Sequence, residues 1–251
     1  MSGLAVVTGA SRGIGRGVAE RLARDGYDVA VGYHARVDAA QAVVETVTRQ
    51  GVRAAAFQVD VRSPESCRRL VADARSALGP VRAVVSNATG FGADRPDLGT
   101  ALAVPLAEYQ SMLAGRLGAL LSLVDAAGAD LDDGGRIVAV TSTGTQRAVP
   151  GYAPIAASMA AVESVVRYMA AELGARGITA NTAVGGVIDT EALGEISADP
   201  ARLKEAVRRA TPLGRVGRAD DLAAVVGFLC SPAADWVTGQ SVIADGGNSL
   251  R

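Results

Sequence analysis

Lysine is almost missing from this chain. Its 25 basic residues include one lysine, Lys204, and its one histidine is His34. Proton chemistry that relies on an ammonium or an imidazole therefore has a single residue of each kind to draw on. Cysteine is as scarce. Cys67 and Cys230 stand far apart and show no metal-ligand spacing, which argues for two unpaired thiols in a reducing cytoplasm and against a disulfide framework or a zinc site. No apolar run approaches the roughly 18 residues of a membrane span. The lead Met1-Ser2-Gly3 lacks the basic-then-apolar pattern of a secretory signal. A net charge of -1 removes the broad electrostatic case for nucleic acid. The expectation is a cytoplasmic protein with neither a membrane nor a nucleic-acid partner.

What the chain has is a large apolar fraction, 49% of 251 residues, enough for one sizeable core. Short apolar runs alternate with amphipathic stretches. Strands are expected at Leu4–Thr8, Asp28–Tyr33, Ala54–Val59, Val81–Ser86, Arg136–Thr141, Ile178–Ala183 and Ser241–Ala244. Helices are expected at Ile14–Asp25, Ala39–Gln50, Pro64–Leu78, Leu106–Ala127, Ala153–Leu173 and Asp220–Cys230. Glu191–Ala210 reads as a helix broken by Pro200, a small lid over 190–213. With no repeat and no linker, the pattern predicts one α/β domain over 1–251: a doubly wound parallel sheet of the Rossmann type with helices on both faces.

In such a sheet ligands bind beyond the strand C-termini, near the switch in strand order. The first of these connections is Thr8-Gly9-Ala10-Ser11-Arg12-Gly13-Ile14-Gly15, set between a strand and a helix. Gly9 permits the sharp turn, Gly13 lets the backbone approach phosphate oxygens, and Gly15 allows close helix packing. Gly9, Ser11, Arg12, Gly13, Ile14 and Gly15 thus form a pyrophosphate cradle. An acid at the end of the second strand would select NAD, and an arginine would receive a 2′-phosphate. The chain has Tyr33-His34-Ala35-Arg36 there, so Arg36 and Arg12 point to NADP, unless they are plain solvated cations. Asp60 after the third strand either accepts from the adenine amino group or caps a helix.

These motifs resemble those of the short-chain dehydrogenase/reductase family. The match runs through Thr8–Gly15, Asp60-Val61, Asn87-Ala88, Ser142, Pro150-Gly151, Asn181, Gly185–Thr190 and Asp245-Gly246-Gly247. The double glycine of Gly185-Gly186-Val187-Ile188-Asp189-Thr190 is most similar to enoyl-acyl-carrier-protein reductases of the third type. The resemblance adds Val61, Asn87, Ala88, Gly185, Ile188 and Thr190 to the cofactor site. It also implies an Asn, Ser, Tyr and Lys set in which Tyr protonates the carbonyl and Lys assists it. Ser142 matches the serine. Ile155 stands at the tyrosine position, Met159 at the lysine position, and Arg116 at the asparagine position.

Enoyl reductases carry their tyrosine seven residues before the lysine, and Tyr152 lies seven before Met159, two helical turns away on one face. Tyr152 is thus either an acid of the enoyl-reductase type or a packing aromatic. Arg116 is either a relocated charge or part of an ion pair or subunit interface. The catalytic candidates are Ser142, Tyr152 and Arg116. Losing acid–base help costs about 10²–10⁴-fold, which an activated enone or polyketide substrate could tolerate. The expected activity is NADP-dependent reduction of an enoyl or carbonyl group in a hydrophobic, small-molecule or carrier-bound acyl substrate. A non-redox cyclase, isomerase or dehydratase, or a catalytically silent subunit, is the alternative. Phe91, Leu193, Ile196 and Leu203 suggest the apolar substrate, and the resemblance implies a homotetramer built on the helices 106–127 and 153–173.

Overall fold

The computed structural model describes residues 3–89, 99–191, 193 and 199–250. Its centre is a seven-stranded, all-parallel sheet. The strands are β1 (Leu4–Val7), β2 (Asp28–Tyr33), β3 (Ala54–Gln58), β4 (Val81–Ser86), β5 (Arg136–Ser142), β6 (Thr179–Gly185) and β9 (Ser241–Ala244), in the order β3-β2-β1-β4-β5-β6-β9. β7 (Ile188–Asp189) and β8 (Gly217–Arg218) form a separate two-stranded pair. The chain winds outward from β1 in both directions. The switch in strand order falls between β1 and β4, where Val6 pairs with Ala30 on one side and Val84 on the other.

β1 is fully buried, and its side chains alternate between two cores as a pleat requires. Leu4 and Val6 join the core beneath α3 (Pro64–Leu78), α5 (Ala119–Ala127) and α6 (Ala153–Leu173), which supply Leu70, Leu120 and Val166. Ala5 and Val7 join the core beneath α1 (Gly13–Arg24), α2 (Val37–Thr48) and α8 (Ala219–Cys230), with Leu22, Val43 and Val226. Both cysteines are buried in these cores. Burial pushes the Cys67 thiol up to about 11 and the Cys230 thiol up to about 12, which makes them inert.

Two expectations change. β5 and β6 run on to Ser142 and Gly185, because the two strands stay paired to their last residues, Ser142 opposite Gly185. Pro200 is the first residue of α7 (Pro200–Ala210), and the Asp199 side chain caps that helix by accepting from the Arg202 amide at 2.9 Å; Glu191 and Leu193 before it are helical too, so helical residues stand on both sides of the expected break. The stretch expected as one helix, 106–127, consists of α4 (Leu106–Leu113), a π-helical turn (Ala114–Gly118) and α5. Gly115 and Gly118 bracket Arg116 and weaken the α-helical ladder there.

The helical segment Leu106–Leu131 does reach the length and apolar composition of a membrane span, contrary to the sequence expectation. Its buried residues, Met112, Ala119, Leu120, Leu123 and Ala127, fill the interior.

Candidate active site

The cradle is built as its glycines require. Gly9 has φ +66° and Gly13 φ +53°, the left-handed region open to glycine at little cost. A Cβ on Gly15 would lie 2.2 Å from the Gly9 carbonyl oxygen and 2.5 Å from the Asn87 amide nitrogen. Asn87 and Ala88 brace this turn: the Asn87 side chain donates to the Thr8 carbonyl at 3.0 Å, and both backbone amides donate to the Thr8 hydroxyl at 3.1 Å. Ile14 packs against the core under α1 and α2. A cradle whose turn has no room for a side chain leaves its backbone open to an anion, and α1 presents its N-terminus there, so these residues fit a pyrophosphate. Thr190 approaches the cradle from the far end of the chain, 3.5 Å from where a Cβ on Gly13 would lie.

Around the nucleotide end the expectations divide. Arg36 and Arg12 are not isolated surface cations: Arg36 donates to Glu191 Oε2 at 2.9 Å, and Arg12 lies 3.6 Å from the same oxygen. Asp60 does not cap α3, whose cap is Ser63, accepting from the Ser66 amide at 3.2 Å. Asp60 instead accepts from the Arg62 amide at 3.0 Å and from its guanidinium at 3.2 Å. Burial raises the Asp60 carboxyl, but these hydrogen bonds outweigh it and hold it below the ordinary carboxylate value. The Val61 side chain is buried in the core and leaves only its backbone for an adenine. Ile188 is buried on β7, and Gly185 ends β6 beside Ala244.

The chemistry would lie across the cleft, at the ends of β5 and α6. Ser142 ends β5, accepts from the Gly144 amide at 3.2 Å, and donates to the Tyr152 hydroxyl at 3.4 Å. Tyr152 immediately precedes α6 and lies over Gly144: a Cβ on Gly144 would come within 2.7 Å of its ring. Ile155 and Met159 form a small apolar floor with Met112, and Tyr152 packs against it. Met112 was absent from the sequence expectations; it comes from a helix whose apolar residues do not reveal which side faces the cleft.

Arg116 is buried near Tyr152, only 5% exposed. Its Nε has no hydrogen-bond partner, and among the described residues no carboxylate pairs with it. Burial disfavours its charge and the nearby Tyr152 phenol opposes that effect. Arg116, Met159, Ser86 and Thr141 enclose a gap of about 10 Å³, the size of one water. So the structure brings Ser142, Tyr152 and Arg116 together. Lys204 is elsewhere, on α7, in an ion pair with Asp189 at 2.7 Å. Of the expected substrate-facing residues, Leu193 is buried and Leu203 half-buried, while Phe91 and Ile196 lie outside the described residues.

Residues 9–249 match the family model described as enoyl-(acyl carrier protein) reductase. The chain belongs to the short-chain dehydrogenase/reductase family. It is 35% identical over 249 residues to 1-cyclohexenylcarbonyl-CoA reductase of Streptomyces collinus, covering 98% of this chain and 87% of that one. It is 33% identical to 3-oxoacyl-[acyl-carrier-protein] reductase FabG of Staphylococcus epidermidis, covering 98% and 99% of the two chains. A short-chain dehydrogenase from Burkholderia cenocepacia, solved in complex with NADP, superposes with a TM-score of 0.88 at 35% identity over 98% of this chain and 97% of its own. The doubly wound sheet expected from the sequence is thus the fold of this family.

Proposed function

We propose that this short-chain dehydrogenase/reductase is an NADP-dependent reductase of an enoyl or carbonyl group carried on a hydrophobic acyl or polyketide-like substrate, and that it works without the tyrosine–lysine pair of its family. The observation that carries this reading is the Ser142 hydroxyl 3.4 Å from the Tyr152 hydroxyl, above a floor in which Ile155 and Met159 supply no proton. The family match and the names of the relatives above support a reductase, and a relative solved with NADP supports that cofactor.

The residues that would hold the cofactor are Gly9, Ser11, Arg12, Gly13, Ile14 and Gly15 at the pyrophosphate, with Arg36, Asp60, Val61, Asn87, Ala88, Gly185, Ile188 and Thr190 around it. When bound, the nicotinamide supplies a hydride. Ser142 and Tyr152 present two hydroxyls to one side of the cleft, where they would hydrogen-bond the substrate's carbonyl or developing enolate oxygen. Tyr152 would donate the proton. The buried charge of Arg116 would favour negative charge developing at that oxygen. Arginine keeps its own proton at working pH, so its part is electrostatic. An enoyl thioester suits this site better than a simple ketone, because hydride addition there gives a delocalised enolate that needs less immediate protonation. As its relatives' names suggest, the acyl group would arrive on coenzyme A or a carrier protein. We expect a cytoplasmic homotetramer.

The test is NADPH oxidation with matched 2-enoyl and 3-oxoacyl thioesters. The enoyl substrate is expected to turn over faster, and Tyr152→Phe to lower that rate about 10²–10⁴-fold. Product formed without NADPH oxidation would overturn the reading in favour of a non-redox enzyme. Absence of any product across both series would favour a silent subunit.

A further inference from the structure

Glu191 was no part of the expected site, yet both cations assigned to the 2′-phosphate converge on it. Arg12 immediately precedes α1 and Arg36 immediately precedes α2, so the two guanidiniums stand side by side beyond β1 and β2. Glu191 is 155 residues from Arg36 in sequence. It reaches them because its neighbour Thr190 sits against Gly13 of the cradle. One carboxylate oxygen, Oε2, takes both contacts, at 2.9 Å from Arg36 and 3.6 Å from Arg12.

A carboxylate gripped by two guanidiniums is held by the same chemistry that grips a phosphate. In folds of this kind an acid beside the ribose favours NAD and an arginine favours NADP. Here β2 ends without an acid, and the helical residue Glu191, just after β7, delivers one to the same place. Two like charges cannot both occupy that clamp, because side by side they repel. The pairs are also weak enough to exchange, since Glu191 is 62% and Arg36 52% exposed.

We infer that Glu191 is a specificity-determining residue: an internal rival for the 2′-phosphate of NADP(H). It occupies the Arg12–Arg36 clamp when the cofactor is absent and must leave when a 2′-phosphate enters. It therefore narrows the preference for NADPH over NADH without removing it. This rests on the NADP reading above and goes beyond it, because it concerns how strongly the chain prefers that cofactor.

The test is equilibrium binding to the full-length chain, read by ligand fluorescence or calorimetry with no substrate present. NADPH, NADH and the fragment 2′,5′-ADP are titrated against wild type, Glu191→Gln and Arg36→Gln. Glu191→Gln is expected to tighten NADPH and 2′,5′-ADP about three- to tenfold, the scale of two exposed ion pairs, and to leave NADH no tighter. Arg36→Gln is expected to weaken NADPH and 2′,5′-ADP in both the wild-type and Glu191→Gln backgrounds. The rivalry is overturned if Glu191→Gln leaves NADPH binding unchanged or weaker while Arg36→Gln still weakens it. If wild type and Glu191→Gln both prefer NADH and ignore 2′,5′-ADP, the NADP reading itself fails, and with it the rivalry.

Discussion

The cradle around Gly9 and the floor around Met159 line the same end of the sheet, but different things specify them. In the cradle the backbone makes the site. Gly9 and Gly13 hold left-handed turns, Gly15 leaves no space for a Cβ, and Asn87 ties the turn to β4. On the floor the side chains make the site, over an ordinary helix. Ile155 and Met159 occupy α6 without disturbing its path, and Met112 closes against them. A site made by backbone cannot change a residue without losing the fold nearby. A site made by side chains can exchange its chemistry and keep its shape.

The sharpest way to break this contrast is Gly15→Ala. The added methyl would sit 2.2 Å from the Gly9 carbonyl oxygen, which has no flexible atom to yield. We expect a stability loss of about 3 kcal/mol or more in denaturant melts and no measurable NADPH binding. Retention of both would mean that the cradle is as replaceable as the floor.

A second, smaller effect separates the two cations that could serve the floor. Met159→Lys places an ammonium next to Arg116, which is already buried and unpaired with any carboxylate among the described residues. The expected cost is about 2–4 kcal/mol by thermal or chemical melting. Arg116→Met removes a buried charge instead. It should leave stability unchanged or raise it by about 1 kcal/mol, while enoyl-thioester turnover falls about 10- to 100-fold. Combining the two substitutions should recover most of the loss, because the positive charge has then only moved. If Arg116→Met destabilises the protein and leaves turnover alone, Arg116 is a structural residue and the floor has no cation.

Much of this contrast could be read from the sequence, and the parts that could not have physical reasons. Glycines forced by φ or by contact announce themselves by spacing, and so did Gly9, Gly13 and Gly15. Ile155 and Met159 were visible as departures because the motif around them fixes their register. The burial of Arg116 was not visible. An arginine on a helix is ordinarily at the surface, and the π-helical turn that carries it has no signature beyond two glycines. That Pro200 begins a capped helix was not visible, because proline both breaks helices and begins them, and the capping by Asp199 shows which. Glu191 left no signal at all, since its partners lie at the other end of the chain.

Asp199→Ala should cost about 1 kcal/mol, and only locally. α7 buries no residue, so the loss should appear as faster amide exchange across Pro200–Ala210 without a matching fall in the global melting temperature. A fall in global stability would show that α7 is firmly packed despite burying no residue.

The smallest effect concerns the loop after β9. Asp245 follows β9, backs onto Gly186, and accepts from the Gly247 amide at 2.8 Å and the Ser249 amide at 2.7 Å. Burial raises its carboxyl, but the hydrogen bonds from Ser249 and Gly247, together with the Arg147 charge, hold it below the ordinary carboxylate value. A carboxyl depressed on folding contributes stability that is complete above its unfolded value and disappears as pH falls through its folded value. Asp245→Asn should therefore cost about 1 kcal/mol near neutrality, and the gap from wild type should close as pH drops below about 4. A gap that stays constant through that range would mean that Asp245 holds the loop by shape alone, as the glycines of the cradle do, and not by charge.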